Sequence, residues 1–336
     1  MPSSKEEQVN QVNNTYTAAS DWNPVIVLFK KTICMGKITE MLDAVDVRKE
    51  NTEELYKIFR MVPDFDLPLI RYYLYKGTSL IRQRVNEKGK EFHLVSDLSY
   101  PPADCIKCYE RANLPYQPMF YACSFPNDYE SDNVPPPRVV ALMETSAFYR
   151  DRSTSGIERS TVSRWDIVED LELAAMPFIA DYSMACQLIK EIKNGWDNEI
   201  GKYHVNPDGL ELIMYMANEI GKSFASNVEY FKIANFVNYL LNVNEKTQNV
   251  DGIIYPSVPG AGAGFNVALK PSAVNKKLEF GNAALCHLLK KGEKAYLCVI
   301  KHSVSAENGI IIYQNMDKDP QEDSICAQYS GLDFIN

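Results

Sequence analysis

The sequence lacks several features that mark common protein classes. Its 336 residues include only four histidines, and no Ser-His-acid arrangement is visible around them, which argues against a serine-hydrolase triad. The longest apolar runs, such as residues 24–29, fall far short of the roughly 20 residues of a membrane helix. No membrane partner is therefore expected.

An excess of basic residues is also lacking. The chain carries 35 lysines and arginines against 44 acidic residues, a formal net charge of −9. Broad nucleic-acid binding needs a dense basic surface that displaces counterions from phosphates, so no nucleic-acid partner is expected. A small phosphorylated ligand needs only one or two arginines, and the composition allows such a site.

Cysteines are few and unevenly spaced. The eight thiols lie mostly in apolar contexts, which predicts reduced core residues and not a disulfide framework. Residues 1–14 are polar and carry no apolar core of a secretory signal, so a cytoplasmic location is expected. Cys105 and Cys108, with His93 upstream, have zinc-like spacing, but no second ligand pair follows. A structural zinc site needs four ligands, and no metal site is predicted.

The residues that are present predict β-rich ends around a helical middle. The composition is 46% hydrophobic, enough for a sizeable core. Residues 51–59 predict a helix, and apolar spacings of three and four predict helices between 166 and 241. The remaining short apolar runs predict strands: 74–85 with a turn, 118–123, 138–144, 253–255, 265–269, 294–300 and 309–313. This order indicates an α+β fold and not a doubly wound sheet.

The expected organisation has three parts. Residues 1–20 are expected to be disordered, and residues 21–73 to form an N-terminal helical region. Residues 74–336 are expected to form one large domain, with a helical insert at about 166–250. Within that domain, the proline-rich stretch 96–118 predicts a long loop.

Two stretches supply candidate binding residues. Arg82 and Arg84 lie two residues apart in a predicted strand, so both point to one face, and paired guanidinium groups suit a pyrophosphate. Arg111 and Asn113 lie in the loop that leads to the strand with Tyr121, where binding residues tend to gather. From these residues alone, solvated surface arginines and a core role for Tyr121 remain alternatives.

Two further stretches contain Glu144 and Ser257. Glu144 ends an apolar run, where a carboxylate needs compensation if it is buried; a glutamate that faces water is the alternative. Ser257 precedes glycines 260, 262 and 264. A dinucleotide fingerprint would have to open a helix, but a strand is predicted over 265–269, so that motif is rejected. A glycine-rich loop between strands still lets backbone amides approach a ligand.

In this order, the four stretches resemble the RES family of NAD-consuming enzymes, whose name records an Arg, a Glu and a Ser. The family has an Arg-x-Arg, an Arg–Asn segment before a strand with Tyr, then a Glu, and then a Pro-Ser before an Asn-containing strand. The matching positions are Arg82, Arg111, Asn113, Tyr121, Glu144, Ser257 and the segment 266–271. The resemblance covers about 74–280. Glu110, where the family commonly has glycine, and the residues beyond 290 depart from it.

The resemblance implies an ADP-ribosyltransferase-like fold, a split β-sheet core here enlarged by the helical insert, with 74–336 as the NAD-binding catalytic domain. Cleavage of the nicotinamide–ribose bond by water or phosphate would then deplete NAD, as toxins of this family do. No cofactor is expected beyond NAD as substrate, and phosphate and a cognate antitoxin or regulatory protein are further candidate partners. A protein mono-ADP-ribosyltransferase and a non-catalytic nucleotide-binding module are the alternatives.

The resemblance also implies roles for individual residues. Arg82 and Arg111, with Arg84 and Asn113 nearby, would hold the pyrophosphate, and Tyr121 would pack against the nicotinamide ring. In the catalytic group, which also includes Arg82, Glu144 would accept from the ribose hydroxyls and offset the positive charge that develops on the sugar. Ser257 would hydrogen-bond the ribose or the nicotinamide amide without acting as a nucleophile. Tyr100 would line the pocket.

Overall fold

The β-prone runs of the sequence form one open sheet. The structure is a computed structural model that describes residues 36–64, 66–87, 90–124, 135–176, 187–202, 205–317 and 320–335. Within these ranges the sheet contains ten strands: β1 (Ile70–Leu74), β2 (Ser79–Val85), β3 (Phe120–Ser124), β4 (Ser155–Ile167), β5 (Leu171–Ala175), β6 (Gly252–Pro256), β7 (Phe265–Leu269), β8 (Leu278–Lys291), β9 (Lys294–Glu307) and β10 (Ile310–Asn315). Their order is β1-β5-β6-β7-β3-β2-β4-β8-β9-β10.

Helices pack against this sheet, giving a mixed α and β chain. They are α1 (Lys37–Ala44), α2 (Thr52–Phe59), α3 (Val95–Leu98), α4 (Pro137–Thr145), α5 (Ala147–Arg150), α6 (Gln187–Lys202), α7 (Pro207–Ile220), α8 (Phe231–Asn238), α9 (Pro271–Lys277) and α10 (Pro320–Ala327). Short 3₁₀ turns add Val47–Lys49, Ala103–Cys105 and Asn227–Tyr230, and a π turn continues α8 over Tyr239–Val243. No helix in the described ranges is long and apolar enough to cross a membrane.

The sheet is joined most weakly at its middle. β2 and β3 pair only through Leu80 with Ser124 and Ile81 with Cys123, whereas β2 pairs with β4 over its whole length. Beyond Ile81 the Arg82 side chain links the two strands, because its Nη1 donates to the Tyr121 carbonyl oxygen at 2.6 Å. The ten strands therefore form one open mixed sheet with a weak junction between β2 and β3.

The two faces of the central strands support separate cores. One face contributes Leu80, Phe120 and Val267 to a core with α9 and the neighbouring loops. On the other face, here called the helical face, Ile253 and Ala268 pack against α1, α2, α7 and α8. Helix α4 lies on the same face, where its Val140 and Ala141 pack against Cys123 and Ile81. The helical face of the central strands is thus covered from two sides by different helices.

The strand predicted over 138–144 is wrong. These residues belong to α4, which begins with Pro137 in its first turn and buries Val140, Ala141 and Leu142. Proline is tolerated at the first helical position, where its missing N–H has no partner to lose. A short apolar run has no decisive periodicity, and the prolines that precede it were the stronger signal.

The helical block predicted from 166 onward begins too early. Asp166 still lies in β4, which ends at Ile167, and β5 follows at Leu171–Ala175; the next described helix is α6. Most of α3 and one 3₁₀ turn lie within the stretch 96–118, which was predicted to be a loop. The strand β1 begins inside the region 21–73, which was predicted to be helical. The predictions of α2, β2, β3, β6, β7, β9 and β10 are confirmed. β4 and β8 were missed, and the expected disorder of residues 1–20 lies outside the described residues.

Candidate functional site

A row of three buried side chains crosses the helical face of the sheet. The register pairs Tyr255 of β6 with Asn266 of β7, and Asn266 with Cys123 of β3. Directly opposed residues project to the same face of a sheet. All three are at most 5% exposed, and the Cys123 thiol donates to Asn266 Oδ1 at 3.2 Å. This row forms the floor of the candidate site.

Glu144 reaches this floor from the last turn of α4. Its Oε1 accepts hydrogen bonds from Ser257 Oγ at 2.7 Å and from Asn266 Nδ2 at 2.6 Å. The described residues give its Oε2 no hydrogen bond. A carboxylate at a helix C-terminus meets the negative end of the helix dipole, so the two donors compensate for an unfavourable position. One oxygen is held and the other is available to a ligand.

The glycine-rich loop places Ser257 beside α4. Ser257 is fully buried, and its Oγ accepts from the Gly260 amide at 3.2 Å. Gly264 has a φ of +120°, and a Cβ there would lie 2.6 Å from Val140 Cγ2. Only glycine permits this approach of the loop to the helix. The loop joins β6 directly to β7 and does not open a helix. A dinucleotide fingerprint would have to open a helix, so its rejection is confirmed.

Tyr121 lies beside the floor and is held by the loop before β3. Its hydroxyl donates to Asn113 Oδ1 at 2.6 Å and accepts from the Ala112 amide at 3.1 Å. The ring packs against the core of the helical face. Asn113 is buried, and its bond to the hydroxyl fixes the orientation of Tyr121. The Tyr121 ring lies on the same face of the sheet as Glu144.

Arg82 lies at the β2–β3 junction, and its side chain leaves β2 on the face of Leu80, opposite the floor, where its guanidinium lies over the Phe120 ring. Its Nε donates to the Leu98 carbonyl at 3.1 Å, in addition to the bond to Tyr121. Burial, and then the charge of Arg84, lower the pKa of Arg82 to about 10, so it stays protonated at neutral pH. Burial and then the Glu144 charge raise the pKa of the Cys123 thiol, whereas Arg82 lowers it. The charges of Glu144 and Arg82 therefore both act on the pKa of Cys123.

The other predicted residues lie at different distances from this group. Arg111 donates to the carbonyl oxygens of Ile220 and Lys222 at the end of α7, and its charge lowers the pKa of Tyr255. Arg84 donates to the Asp97 carbonyl and lies over the Phe92 ring. Tyr100 bonds Asn275 and packs against the core of the opposite face. The structure does not bring Arg84 or Tyr100 into contact with Glu144.

Sequence reasoning missed two members of the floor, Tyr255 and Cys123. Tyr255 lies two residues before Ser257, and Cys123 two residues after Tyr121. Since side chains alternate along a strand, each shares a face with a residue that was predicted. This period of two was the available signal, and it would have found both.

Neither a metal centre nor a known relative defines the site. Among the described residues no group of three or more His, Cys, Asp or Glu side chains is arranged to hold a metal ion. Cys105 and Cys108 are exposed thiols. Comparison with models of protein families finds none that matches this chain, and no curated protein matches it.

Proposed function

We propose that this chain binds NAD and cleaves its nicotinamide–ribose bond, in a catalytic domain of the ADP-ribosyltransferase-like kind found in the RES family. One observation carries the proposal. Glu144 is fixed by Ser257 and Asn266 over a buried floor next to Tyr121, so three of the four RES-like stretches meet in space. Ser257 and Asn266 are 113 and 122 residues from Glu144 in the chain, and surface residues that happened to match would have no reason to converge.

The chemistry of the bond explains the need for a fixed carboxylate. Nicotinamide leaves as a neutral group, and the ribose develops oxocarbenium character, as in glycoside hydrolysis. Glu144 Oε2, which lacks a protein donor among the described residues, accepts from the ribose hydroxyls and offsets the developing charge. Ser257 donates its own proton to Glu144, so it serves as a support and not as a nucleophile.

The arginines supply the charge for the diphosphate. A guanidinium has five N–H donors, and the protein uses two of those on Arg82. The remaining donors, at the junction where β2 and β3 separate, hold the pyrophosphate together with the charge of Arg111. Tyr121 packs against the nicotinamide ring. Water or phosphate then attacks the ribose carbon, NAD is depleted, and a cognate antitoxin or regulator restrains the activity.

The first test measures nicotinamide release. Purified protein is incubated with NAD, with and without phosphate, and nicotinamide, ADP-ribose and ADP-ribose-1″-phosphate are quantified over time. In Glu144→Gln the amide oxygen still accepts from Ser257 and Asn266, so we expect NAD to bind within about threefold while turnover falls on the order of 10²–10³-fold. Glu293→Gln, which changes an exposed carboxylate, is the matched control and should behave as wild type.

Each other result contradicts a defined part of the proposal. Absence of nicotinamide release from wild type overturns NAD cleavage, and equal rates in Glu144→Gln overturn the role of Glu144. Loss of NAD binding together with turnover assigns Glu144 to binding alone. ADP-ribose found on protein, with no free ADP-ribose, identifies a transferase.

A further inference from the structure

Tyr255 is a buried tyrosine whose hydroxyl the described part of the chain does not use. The residue is 4% exposed, and its Oη makes no hydrogen bond to the described residues. Buried tyrosine hydroxyls normally find a partner, and other tyrosines of the same core do: Tyr121 bonds Asn113, and Tyr239 bonds Asp64. The Tyr255 Oη is not among the described buried side-chain atoms that lack a hydrogen-bond partner, so this hydroxyl is open to water, and a bound ligand is able to take the place of that water.

The position of Tyr255 places this hydroxyl in the candidate site. Its side chain projects to the helical face between the register partner Asn266 and Ser257, two residues further along the same face. Both neighbours bind Glu144 Oε1. Burial and then the charge of Glu144 raise the pKa of Tyr255, and Arg111 lowers it, so charges of both signs act on the ring. The hydroxyl remains protonated at neutral pH and is able to donate.

We infer that the Tyr255 hydroxyl donates a hydrogen bond to an acceptor oxygen in the nicotinamide riboside half of bound NAD. Glu144 is the acceptor for that half, Ser257 supports Glu144, and Tyr255 supplies a donor on the floor beneath the ligand. The residue then selects ligands that carry the riboside and contributes little to the adenosine diphosphate half. This inference rests on the proposed function and adds a substrate-binding residue to it.

The test compares two tyrosines that differ only in whether the protein uses their hydroxyl. Tyr255→Phe removes an unpartnered hydroxyl, so we expect the melting temperature to stay within about 2 °C of wild type while kcat/KM for NAD falls about tenfold. Tyr239→Phe removes a hydroxyl that bonds Asp64 at 2.8 Å. It should lower the melting temperature and leave kcat/KM within about twofold.

A binding measurement separates the two halves of the ligand. In the Glu144→Gln background, calorimetric titration should show that Tyr255→Phe weakens NAD about tenfold and changes ADP, which lacks the riboside, by less than about twofold. Equal losses for NAD and ADP, or a melting temperature that falls as in Tyr239→Phe, would show a structural role and overturn the inference.

The remaining outcomes separate this inference from the function on which it rests. If wild type releases nicotinamide and Tyr255→Phe matches it in kcat, KM and NAD affinity, the inference fails and the proposed function stands. If wild type neither binds nor cleaves NAD, the proposed function fails and the inference fails with it.

Discussion

Arg82 connects segments that the sheet itself leaves apart. Its guanidinium donates to carbonyl oxygens of Leu98 and Tyr121, and its centre lies 5.3 Å from the centroid of the Phe120 ring. A planar fork is suited to two acceptors in different directions. The arginine predicted as an anion clamp is therefore also a structural link across the β2–β3 junction.

This link predicts a loss of stability that is independent of NAD. In Arg82→Gln both carbonyl oxygens lose a charged donor, and we expect the free energy of unfolding in urea to fall by about 2–3 kcal/mol. Arg152→Gln, which breaks only an exposed pair with Glu293, should change it by less than about 0.5 kcal/mol. Equal values for Arg82→Gln and wild type would mean that water satisfies both carbonyls and that Arg82 is not a link.

Among single residues, the sequence predicted those whose chemistry is unusual for their local context. Glu144, Ser257 and Tyr121 were predicted from short stretches, and the structure places them on one face. The bonds from Ser257 and Asn266 to Glu144 were not predictable, because they depend on α4 packing beside the glycine-rich loop. Tyr255 and Cys123 looked like ordinary core residues, and only the register of the strands brings them into one row.

Helix α4 determines where Glu144 lies. Had residues 138–144 formed a strand, as predicted, a strand end would have placed the carboxylate at an edge of the sheet. As a helix, the segment lies on the helical face, with Val140 packed against Cys123. The apolar composition correctly predicted burial, but a run this short fits strand and helix equally well. Packing against the sheet decided between them.

The contact between α4 and the glycine-rich loop gives a prediction at this scale. In Gly264→Ala the new Cβ would meet Val140 Cγ2 at 2.6 Å at a positive φ. We expect urea unfolding to show a loss of about 1–2 kcal/mol from the backbone and about 1–3 kcal/mol more from overpacking. Because the loop carries Ser257, nicotinamide release should also fall.

Gly77→Ala is the matched control for this change. Gly77 also has a positive φ, +91°, but nothing lies within 4 Å of its added Cβ. It should show only the backbone loss and keep its activity. If the two variants lose equal stability, the loop is free to move away from α4 and the contact does not hold Ser257 in place.

The whole molecule is organised around one long sheet whose edges carry no part of the site. The edge strand β1 was absent from the predictions, although β10 at the other edge was expected. The α+β pattern could be predicted because alternation and turn signals are local. The strand order could not, since it places β5 beside β1 and β6 across long intervening segments. Local signals therefore predicted six of the ten described strands, and long-range pairing determined how all ten are arranged.

Tyrosines at both edges make the stability of the whole sheet sensitive to alkaline pH. Burial raises the pKa of Tyr72 on β1 and of Tyr313 on β10, each to about 12, against about 10 in an unfolded chain. The unfolded state then loses these protons first, so their contribution to stability is complete below about pH 10 and is lost between about pH 10 and pH 12. We expect the free energy of unfolding in urea to decline between about pH 10 and pH 12.

Phenylalanine variants isolate this effect from the titration of other groups. Tyr72→Phe and Tyr313→Phe each remove one titrating hydroxyl, so each should make the decline shallower, and the double variant should combine both reductions because the edges lie far apart in the strand order. Tyr73→Phe, on the exposed side of β1, should leave the slope unchanged. If the double variant loses stability as steeply as wild type, alkaline unfolding starts elsewhere. If only Tyr72→Phe flattens the curve, the β10 edge opens before the sheet unfolds, and the ten strands do not unfold as one cooperative unit.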